Sequence, residues 1–337
     1  GVLVSPTTKK SQPSNFANFL VASVGLFIVV VTISFLLMSS YIKEIDHQFF
    51  NIMISVVLCG RNDNYGGHLN ERFSYSINGF LQVFDEVIYV DWNTDPGKKI
   101  LTDEIEIKDR SKLKVIEVNH EKASELLKDK DAQKMCEVLA RNIGIRRAKG
   151  DIIVSSNIDI IPFERVYLDI LIQKLQKGEM MTFMRNDIEL SDIKKNCNPE
   201  SLELWKIPTI FGAQPISRKL MSPYISINSE IIEKFPINNH HVLSSIISGC
   251  GDFQMAYKET WYKIKGFEEN LTKRLYNDTG VQYKVLMSGG VVTAYNFPPI
   301  YHLNHERNDS PEFTNSPEMS KYTENSENWG FINEILH

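Results

Sequence analysis

Short apolar runs that alternate with helical periodicity set the strongest limit on how this chain can fold. Continuous runs of this length, rich in β-branched residues, are typical of strands covered on both faces. Between them, apolar residues recur every four positions, as at Leu69, Phe73 and Ile77. Strands that alternate with helices predict an α/β fold with a mostly parallel sheet and helices on both faces. The runs are IMISVVLC (52–59), EVIYV (86–90), LKVIEV (113–118), DIIVSS (151–156) and MMTFM (180–184).

Composition excludes several classes of protein. The chain has 337 residues and a formal net charge of −5, whereas nucleic-acid-binding proteins usually carry a basic patch, so we expect no nucleic-acid partner. The four cysteines form no C-x-x-C pair, which argues against a structural zinc site. One or two disulfides remain open if the chain faces an oxidising compartment.

A separate apolar segment precedes the alternating region. Residues 19–38 read FLVASVGLFIVVVTISFLLM, and no charged residue lies between Lys10 and Lys43. Twenty helical residues span about 30 Å, the thickness of the hydrocarbon layer of a bilayer. A cleaved signal peptide is the alternative, but its apolar region should be shorter and end in small residues. The segment therefore predicts one N-terminal transmembrane helix that is retained as an anchor.

The charges beside this segment predict its orientation. Lys9 and Lys10 precede it without nearby acids, which favours a cytoplasmic N-terminus. We expect a single-pass type II protein of the Golgi or endoplasmic reticulum with its main domain in the lumen. The predicted division is a cytoplasmic segment (1–15), an anchor (16–40), a stem (41–51), a folded domain (52–305) and a polar tail (306–337) of loop or disorder.

Polar residues follow the predicted strands at the edge where ligands bind in parallel sheets, beyond the carboxyl ends of the strands. Arg61 and Asn62 begin a Gly-rich loop after the first strand, which is either a plain polar turn or a loop facing a nucleotide. Asp91 ends the second strand. It either caps that strand in a turn or binds a ribose or a uracil N–H.

The fourth strand leads to Asn157 and Asp159, whose oxygen atoms suit a hard divalent cation. Arg141 stands upstream on a predicted helix, either as favourable charge near its C-terminus or facing phosphate. His302 and His305, in YHLNH, are either metal ligands or structural histidines.

Asp278 precedes a short predicted helix. An acid in this position is usually a capping or first-turn charge, and it can also serve as a general base.

The order of these motifs resembles glycosyltransferases of the GT-A fold, family 2 type. Such enzymes have a Rossmann-like sheet, an acid that ends the second strand, an ARN-x-G-x-x-x-A-x-G-D segment and a strand that ends in D-x-D. The resemblance spans 52–305, and its most specific part is 140–159. The matching positions are Asp91, 140–151, 157–159, 266–269, Asp278 and His302.

This resemblance implies an enzyme that transfers a hexosyl or N-acetylhexosaminyl group from a nucleotide-sugar donor, such as a UDP-sugar, to a hydroxyl of a glycan, lipid or protein acceptor. Asp91 would bind the uridine or ribose. Asp159, with Asn157 and His302, would hold Mn²⁺ or Mg²⁺ on the diphosphate. Arg61, Asn62 and Arg141 would line the donor site. Asp278 would act as the base of an inverting transfer.

Three departures from the family pattern keep other functions open. D-x-D is Asn157-Ile158-Asp159, the usual E-D pair is Asn277-Asp278, and Lys265 replaces the first Gly of G-G-F-D-E. They allow a catalytically inactive binding protein on a GT-A scaffold. A nucleotidyltransferase is a further alternative, but it should carry a Gly-rich loop with Lys or Arg after the first strand, which GRNDNYGG matches only in part.

Overall fold

The computed structural model describes residues 52–127, 134–204, 223–230, 251–271, 277–306 and 324–336. The expected cytoplasmic segment, anchor and stem lie outside these ranges. Within the described ranges no helix combines the length and hydropathy needed to cross a bilayer.

Strands and helices alternate through the first half of the domain, as the sequence predicts. After the fourth strand the strands and helices no longer alternate regularly. The strands are β1 (Ile54–Gly60), β2 (Glu86–Trp92), β3 (Leu113–Val118), β4 (Ile152–Ser156), β5 (Ile160–Ile161), β6 (Glu179–Ile188), β7 (Pro223–Asn228), β8 (Phe253–Tyr257) and β9 (Val291–Leu303). The helices are α1 (Leu69–Val83), α2 (Leu101–Glu104), α3 (His120–Leu126), α4 (Glu137–Arg147), α5 (Arg165–Ile172), α6 (Leu190–Asn196), α7 (Lys258–Lys263) and α8 (Asn277–Met287).

All nine strands join one sheet in the order β3-β2-β1-β4-β8-β6-β9-β5, with β7 paired to β9. Strands β1 to β4 are parallel to one another, and β8 runs antiparallel between β4 and β6. The predicted α/β class and mostly parallel sheet are therefore confirmed. The antiparallel β8 brings residues 251–253 to the same edge as the carboxyl end of β4, because Ser156 pairs with Phe253.

Helices cover both faces of the sheet, as predicted. Helix α4 packs on the face formed by Val57 and Val90, and a methyl group at Gly144 would lie 2.3 Å from Val57 Cγ1. Successive strand residues point to opposite faces. Tyr89 therefore lies on the other face, where its ring contacts Phe73 of α1 with 5.0 Å between ring centroids.

The described part of the C-terminal tail consists mainly of turns and irregular chain, as expected from its composition, and it packs onto the domain. Trp329 is buried, and Arg147 donates hydrogen bonds to the carbonyl oxygens of Gly330 and Phe331 at 2.6 and 2.7 Å. Further polar contacts hold the segment: the Asn325 side chain donates to the carbonyl oxygen of Lys265 at 2.7 Å, and Lys122 pairs with Glu334 at 2.7 Å. A lone Trp in a polar tail gives no periodic signal.

Two of the described cysteines, Cys59 and Cys136, are buried and are free thiols. Burial raises the pKa of each thiol to about 12, so both stay protonated at neutral pH.

Candidate active site

Parallel pairing places the ends of β1, β2 and β4 at one edge of the sheet. Gly60 pairs with Asp91, and Leu58 pairs with Ser156. Soon after Ser156 the chain enters β5, where Ile160 pairs with His302 of β9. The short β5–β9 ladder therefore brings Asp159 beside the distant YHLNH segment.

Asp159, His302 and His305 form a cluster in which one ligand atom from each residue lies within 4.8 Å of the others. Asp159 Oδ2 lies 3.6 Å from His302 Nε2 and 3.1 Å from His305 Nε2. We call these three residues the metal-site cluster. The sequence predicts Asp159 and His302 as ligands. His305 is a metal-ligand alternative in the sequence, and the structure adds it to the same cluster.

Hydrogen bonds orient both imidazoles of the metal-site cluster. His305 Nδ1 lies 2.8 Å from the carbonyl oxygen of Glu306, which can only accept, so Nδ1 carries the proton. His302 Nδ1 contacts the carboxylate of Asp187 at 2.7 Å in the same way. Each ring therefore turns its Nε2 atom toward Asp159. Metal-binding histidines are commonly fixed by such contacts through the other ring nitrogen.

Asp159 is held as an anion. Burial alone would raise its pKa, but hydrogen bonds from His302 and His305 and the charges of His302 and Arg72 outweigh burial and hold the pKa well below its usual range. Its Oδ1 atom is buried and has no hydrogen-bond partner among the described residues. One carboxylate and two imidazoles therefore offer a set of donors that fits a divalent metal ion.

Arg72 is a site residue that sequence reasoning missed. Its side chain is 1% exposed, and Nη1 contacts Asp159 Oδ2 at 3.1 Å. Nε donates to the carbonyl oxygen of Gly67 at 3.2 Å, and Nη2 donates to the carbonyl oxygen of Tyr65. Arg72 thus ties the loop after β1 to Asp159. A polar side chain among the apolar positions of α1 was the available signal.

The loop after β1 forms a cleft that adjoins the metal-site cluster. Arg61 is buried and pairs with Asp95 at 2.7 Å. Asn62 donates from its side chain to the carbonyl oxygen of Lys99 at 2.8 Å. These contacts join the loops after β1 and β2. We call this the first cleft; its lining includes Gly60, Arg61, Asp63, Tyr65, Arg72, Asn157 and Asp159.

Asp91 is fully buried at the end of β2. Its Oδ1 accepts hydrogen bonds from Thr94 Oγ1 at 2.7 Å and from Tyr89 Oη at 3.2 Å. Its Oδ2 is buried without a partner in the described part of the chain. Burial raises the pKa of Asp91 to about 6, although the Thr94 and Tyr89 hydrogen bonds oppose the rise. Oδ2 is therefore an acceptor without a partner among the described residues, but Asp91 is fully buried and is not among the residues that line the first cleft.

Arg141 and Asn157 are joined by a hydrogen bond. Arg141 is buried and donates to Ser155 Oγ at 2.6 Å and to Asn157 Oδ1. Asn157 Nδ2 in turn donates to Asp252 Oδ1. The guanidinium therefore lies against the end of β4, and both polar atoms of the Asn157 side chain have partners.

Asp278 lies in a second cleft on the far side of Asn157. It is in the first turn of α8, where Oδ2 accepts from the amide of Gly251 at 3.2 Å and Oδ1 from the amide of Thr279 at 2.9 Å. A methyl at Gly251 would lie 2.1 Å from Asp278 Cβ, so this approach requires glycine. The second cleft is lined by Glu137, Arg141, Asn157, Gly251, Asp252, Phe267, Asn277 and Asp278.

The two clefts share one wall. Glu137 and Asn157 line both the first cleft and the second. A molecule bound at the metal-site cluster and one bound beside Asp278 would therefore meet at these two residues. The nearby Glu269 carboxylate is held by the amide of Gly330 at 2.8 Å and by the side chain of Asn142 at 3.1 Å, so it supports the fold.

Comparison with known proteins finds similarity only to solved structures. No protein-family model matches the sequence, and a search of curated proteins gives no match. The solved structure of TarS 1–349 from S. aureus matches with 13% identity and a TM-score of 0.45 over 75% of this chain. GalNAc-T7, solved with UDP, GalNAc and Mn²⁺, matches with 12% identity and a TM-score of 0.47, also over 75%.

This chain covers 60% of the TarS chain and 44% of the GalNAc-T7 chain, less than two thirds of either. Similarity of this degree says nothing about what this chain binds. The sheet is consistent with the GT-A type of fold predicted from the sequence, and its parallel β3-β2-β1-β4 strands end at the edge that carries the site.

Proposed function

We propose that this chain is a metal-dependent glycosyltransferase that moves a sugar from a nucleotide-diphosphate donor to an acceptor hydroxyl. The observation that carries the proposal is the metal-site cluster at the carboxyl edge of the sheet. Asp159 of this cluster lines the first cleft, which shares a wall with the second cleft that contains Asp278. A transferase needs these two functions, one for the leaving diphosphate and one for the attacking hydroxyl, on either side of the transferred sugar.

The donor would occupy the first cleft. Asp159, His302 and His305 would hold the cation, which when bound stabilises the leaving diphosphate as a Lewis acid. Two imidazole donors argue against Mg²⁺, which prefers oxygen ligands, so of the two ions expected we favour Mn²⁺. The free Oδ2 of Asp91 would accept a hydrogen bond from the uracil or ribose of a UDP-sugar. Arg61 and Asn62 would hold the loop around the nucleotide.

The acceptor would occupy the second cleft. As its hydroxyl oxygen bonds to the anomeric carbon, Asp278 would take the proton. The bond from that carbon to the diphosphate oxygen would break, and its electron pair would leave with the diphosphate. Attack from the side opposite the leaving group inverts the configuration at the anomeric carbon. The transferred group is proposed to be a hexosyl or N-acetylhexosaminyl group, and the acceptor a glycan, lipid or protein.

The cellular setting belongs to the same proposal. The uncharged segment at 19–38 would anchor the chain in the membrane by its N-terminal helix, with 52–305 in the lumen of the Golgi or endoplasmic reticulum. On sealed microsomes, protease added from outside should leave the C-terminal tail intact.

The experiment incubates the full chain, in detergent, with a panel of UDP-sugars and Mn²⁺ and measures release of nucleotide. We expect release from at least one donor, abolished by chelator and by Asp159→Ala. Donor binding without release from any member of the panel, with candidate acceptors present, would support the inactive binding protein instead. Release that continues undiminished in excess chelator would contradict the metal-dependent mechanism.

A further inference from the structure

Asn157 occupies the position where the family pattern has the first carboxylate of D-x-D. Taken from the sequence, this departure indicates a weakened metal site. Both polar atoms of its side chain, however, bind other residues. Oδ1 accepts from Arg141 Nη2, and Nδ2 donates to Asp252 Oδ1.

The chemistry of these two partners fixes what position 157 must be. A guanidinium can only donate hydrogen bonds, and an ionised carboxylate can only accept them. A residue between Arg141 and Asp252 must therefore accept on one side and donate on the other. An amide does both at once, whereas an ionised carboxylate at this position would contact the carboxylate of Asp252. Asp252 is itself buried, which increases the cost of such a contact.

The contacts continue from Asp252 to the metal-site cluster. Arg185 Nη1 contacts the second oxygen of Asp252 at 2.9 Å, and Arg185 Nε contacts Asp187 Oδ1 at 3.1 Å. Asp187 Oδ1 is the atom that orients His302 through Nδ1 at 2.7 Å. An unbroken run of side-chain contacts therefore joins the wall between the two clefts to a proposed metal ligand. We call it the polar bridge; its members are Arg141, Asn157, Asp252, Arg185, Asp187 and His302.

We propose that Asn157 is a positioning residue of the polar bridge and not a degenerate metal ligand. Its amide is required by the charges of Arg141 and Asp252, and it fixes Asp252 so that Arg185 and Asp187 hold His302 in its ligating orientation. The oxygen ligand lost from D-x-D is replaced by the imidazole of His305. The link to metal rests on the proposed function, whereas the requirement for an amide at position 157 does not.

The proposal predicts that a substitution restoring the family pattern at position 157 is harmful. Asn157→Asp should weaken the protein, because it sets two carboxylates against each other. Combining Asn157→Asp with Asp252→Asn exchanges the amide and the carboxylate between the two positions. The amide introduced at position 252 then donates to the carboxylate introduced at position 157, which still accepts from Arg141. This double variant should recover what the single variant loses.

The experiment measures thermal unfolding and Mn²⁺ affinity of the full chain, without donor or acceptor. We expect Asn157→Asp to lower Tm by roughly 5 °C or more and to weaken Mn²⁺ binding by about tenfold. The double variant should regain most of both. Asn333→Asp, at an exposed position of the C-terminal tail whose backbone amide bonds to Asn328, is the matched control and should leave both quantities unchanged.

Three outcomes separate the alternatives. Tighter Mn²⁺ binding by Asn157→Asp with an unchanged Tm would show that position 157 faces the metal, and would overturn the proposal. A double variant no more stable than the single one would also overturn it. If Asn157→Asp does not fold, folding of the double variant supports the proposal and its failure contradicts it. Because the Tm comparison needs no turnover, it stands even if the chain proves not to transfer sugar.

Discussion

Asp159 and Asp91 are both buried aspartates near the carboxyl ends of parallel strands, yet their surroundings are opposite. Asp159 is surrounded by the cationic or proton-donating side chains of Arg72, His302 and His305, and its pKa lies well below the usual range. Asp91 accepts from the hydroxyls of Tyr89 and Thr94, and burial raises its pKa to about 6.

Under the proposed function, this difference would suit two kinds of ligand contact at one sheet edge. Asp159 is kept ionised by partners that a cation can partly replace, so it suits a permanently charged ligand. Asp91 has no cationic partner among the described residues, and its free Oδ2 suits a neutral N–H or O–H donor. Titratable groups whose environments move their pKa values apart are typical of sites with divided roles.

The largest effect should follow the loss of Asp159. Asp159→Ala removes the carboxylate of the metal-site cluster and leaves Arg72 buried without its partner. We expect turnover to fall at least about 10³-fold and the free energy of unfolding to fall by about 3 kcal/mol. The sequence alone predicts an unaffected fold, because the contact with Arg72 is not visible in it. The measurements are nucleotide release and chemical denaturation.

Asp169→Ala is the control for this variant, since Asp169 pairs with Arg165 at 2.8 Å on the exposed side of α5. Exposed pairs contribute little, so both quantities should stay near those of the unmodified chain. Retention of Mn²⁺-dependent release by Asp159→Ala would remove Asp159 from the proposed site.

Asp278 provides a third carboxylate for the comparison, one whose proposed role is to take a proton rather than bind a ligand. Asp278→Asn keeps only one of the two oxygens that accept from the amides of Gly251 and Thr279, so stability should fall by about 1–2 kcal/mol while the helix stays capped. Turnover should fall about 10²–10⁴-fold, because an amide cannot take the proton of the acceptor. Donor binding, measured by calorimetry, should survive. Near-normal transfer by this variant would exclude Asp278 as the base.

The smallest effect concerns the pH dependence of stability at Asp91. Its pKa is raised in the folded state, so between about pH 4 and 6 the folded chain binds more protons than the unfolded chain. Ionisation of Asp91 therefore lowers the free energy of unfolding as pH rises through this window. Asp91→Asn should lose that dependence, and its stability relative to the unmodified chain should rise by about 2–3 kcal/mol between pH 4 and 7.

Denaturation curves at several pH values check this prediction. Parallel pH profiles for the two proteins would contradict the raised pKa. Binding of UDP to Asp91→Asn tests the proposed role of Asp91 as a hydrogen-bond acceptor. We expect this variant to bind UDP more weakly than the unmodified chain.

The same contrast explains how much of the site could be predicted from the sequence. The Asp91 environment is local: Tyr89 and Thr94 lie close to it in the chain, and an acid at the end of an apolar run already indicates the sheet edge. The metal-site cluster is assembled from the β4–β5 connection and the end of β9, and Arg72 of α1 contacts it. Sequence order suggests Asp159 and His302, but the contact with Arg72 depends on tertiary packing.

Only part of the fold, likewise, could be predicted from the sequence. The parallel β1 to β4 strands could be predicted, because each is a continuous apolar run followed by a helix. The antiparallel direction of β8 could not, since an apolar run carries no sign of its direction. The packing of the tail depends on Trp329 and on polar contacts, such as those of Arg147, with residues distant in sequence. Likewise, the role of Asn157 follows from Arg141 and Asp252, which are both distant from it in sequence.

The central claim is that Asp159, His302 and His305 together hold the catalytic cation. Anomalous diffraction at the manganese edge, from crystals of the protein grown with Mn²⁺ and UDP, tests it most directly. The account predicts a single manganese site bonded to Asp159 and to Nε2 of both His302 and His305, with the diphosphate as a further ligand. Manganese bound to UDP without either imidazole, or no manganese in crystals of an active protein, would contradict it.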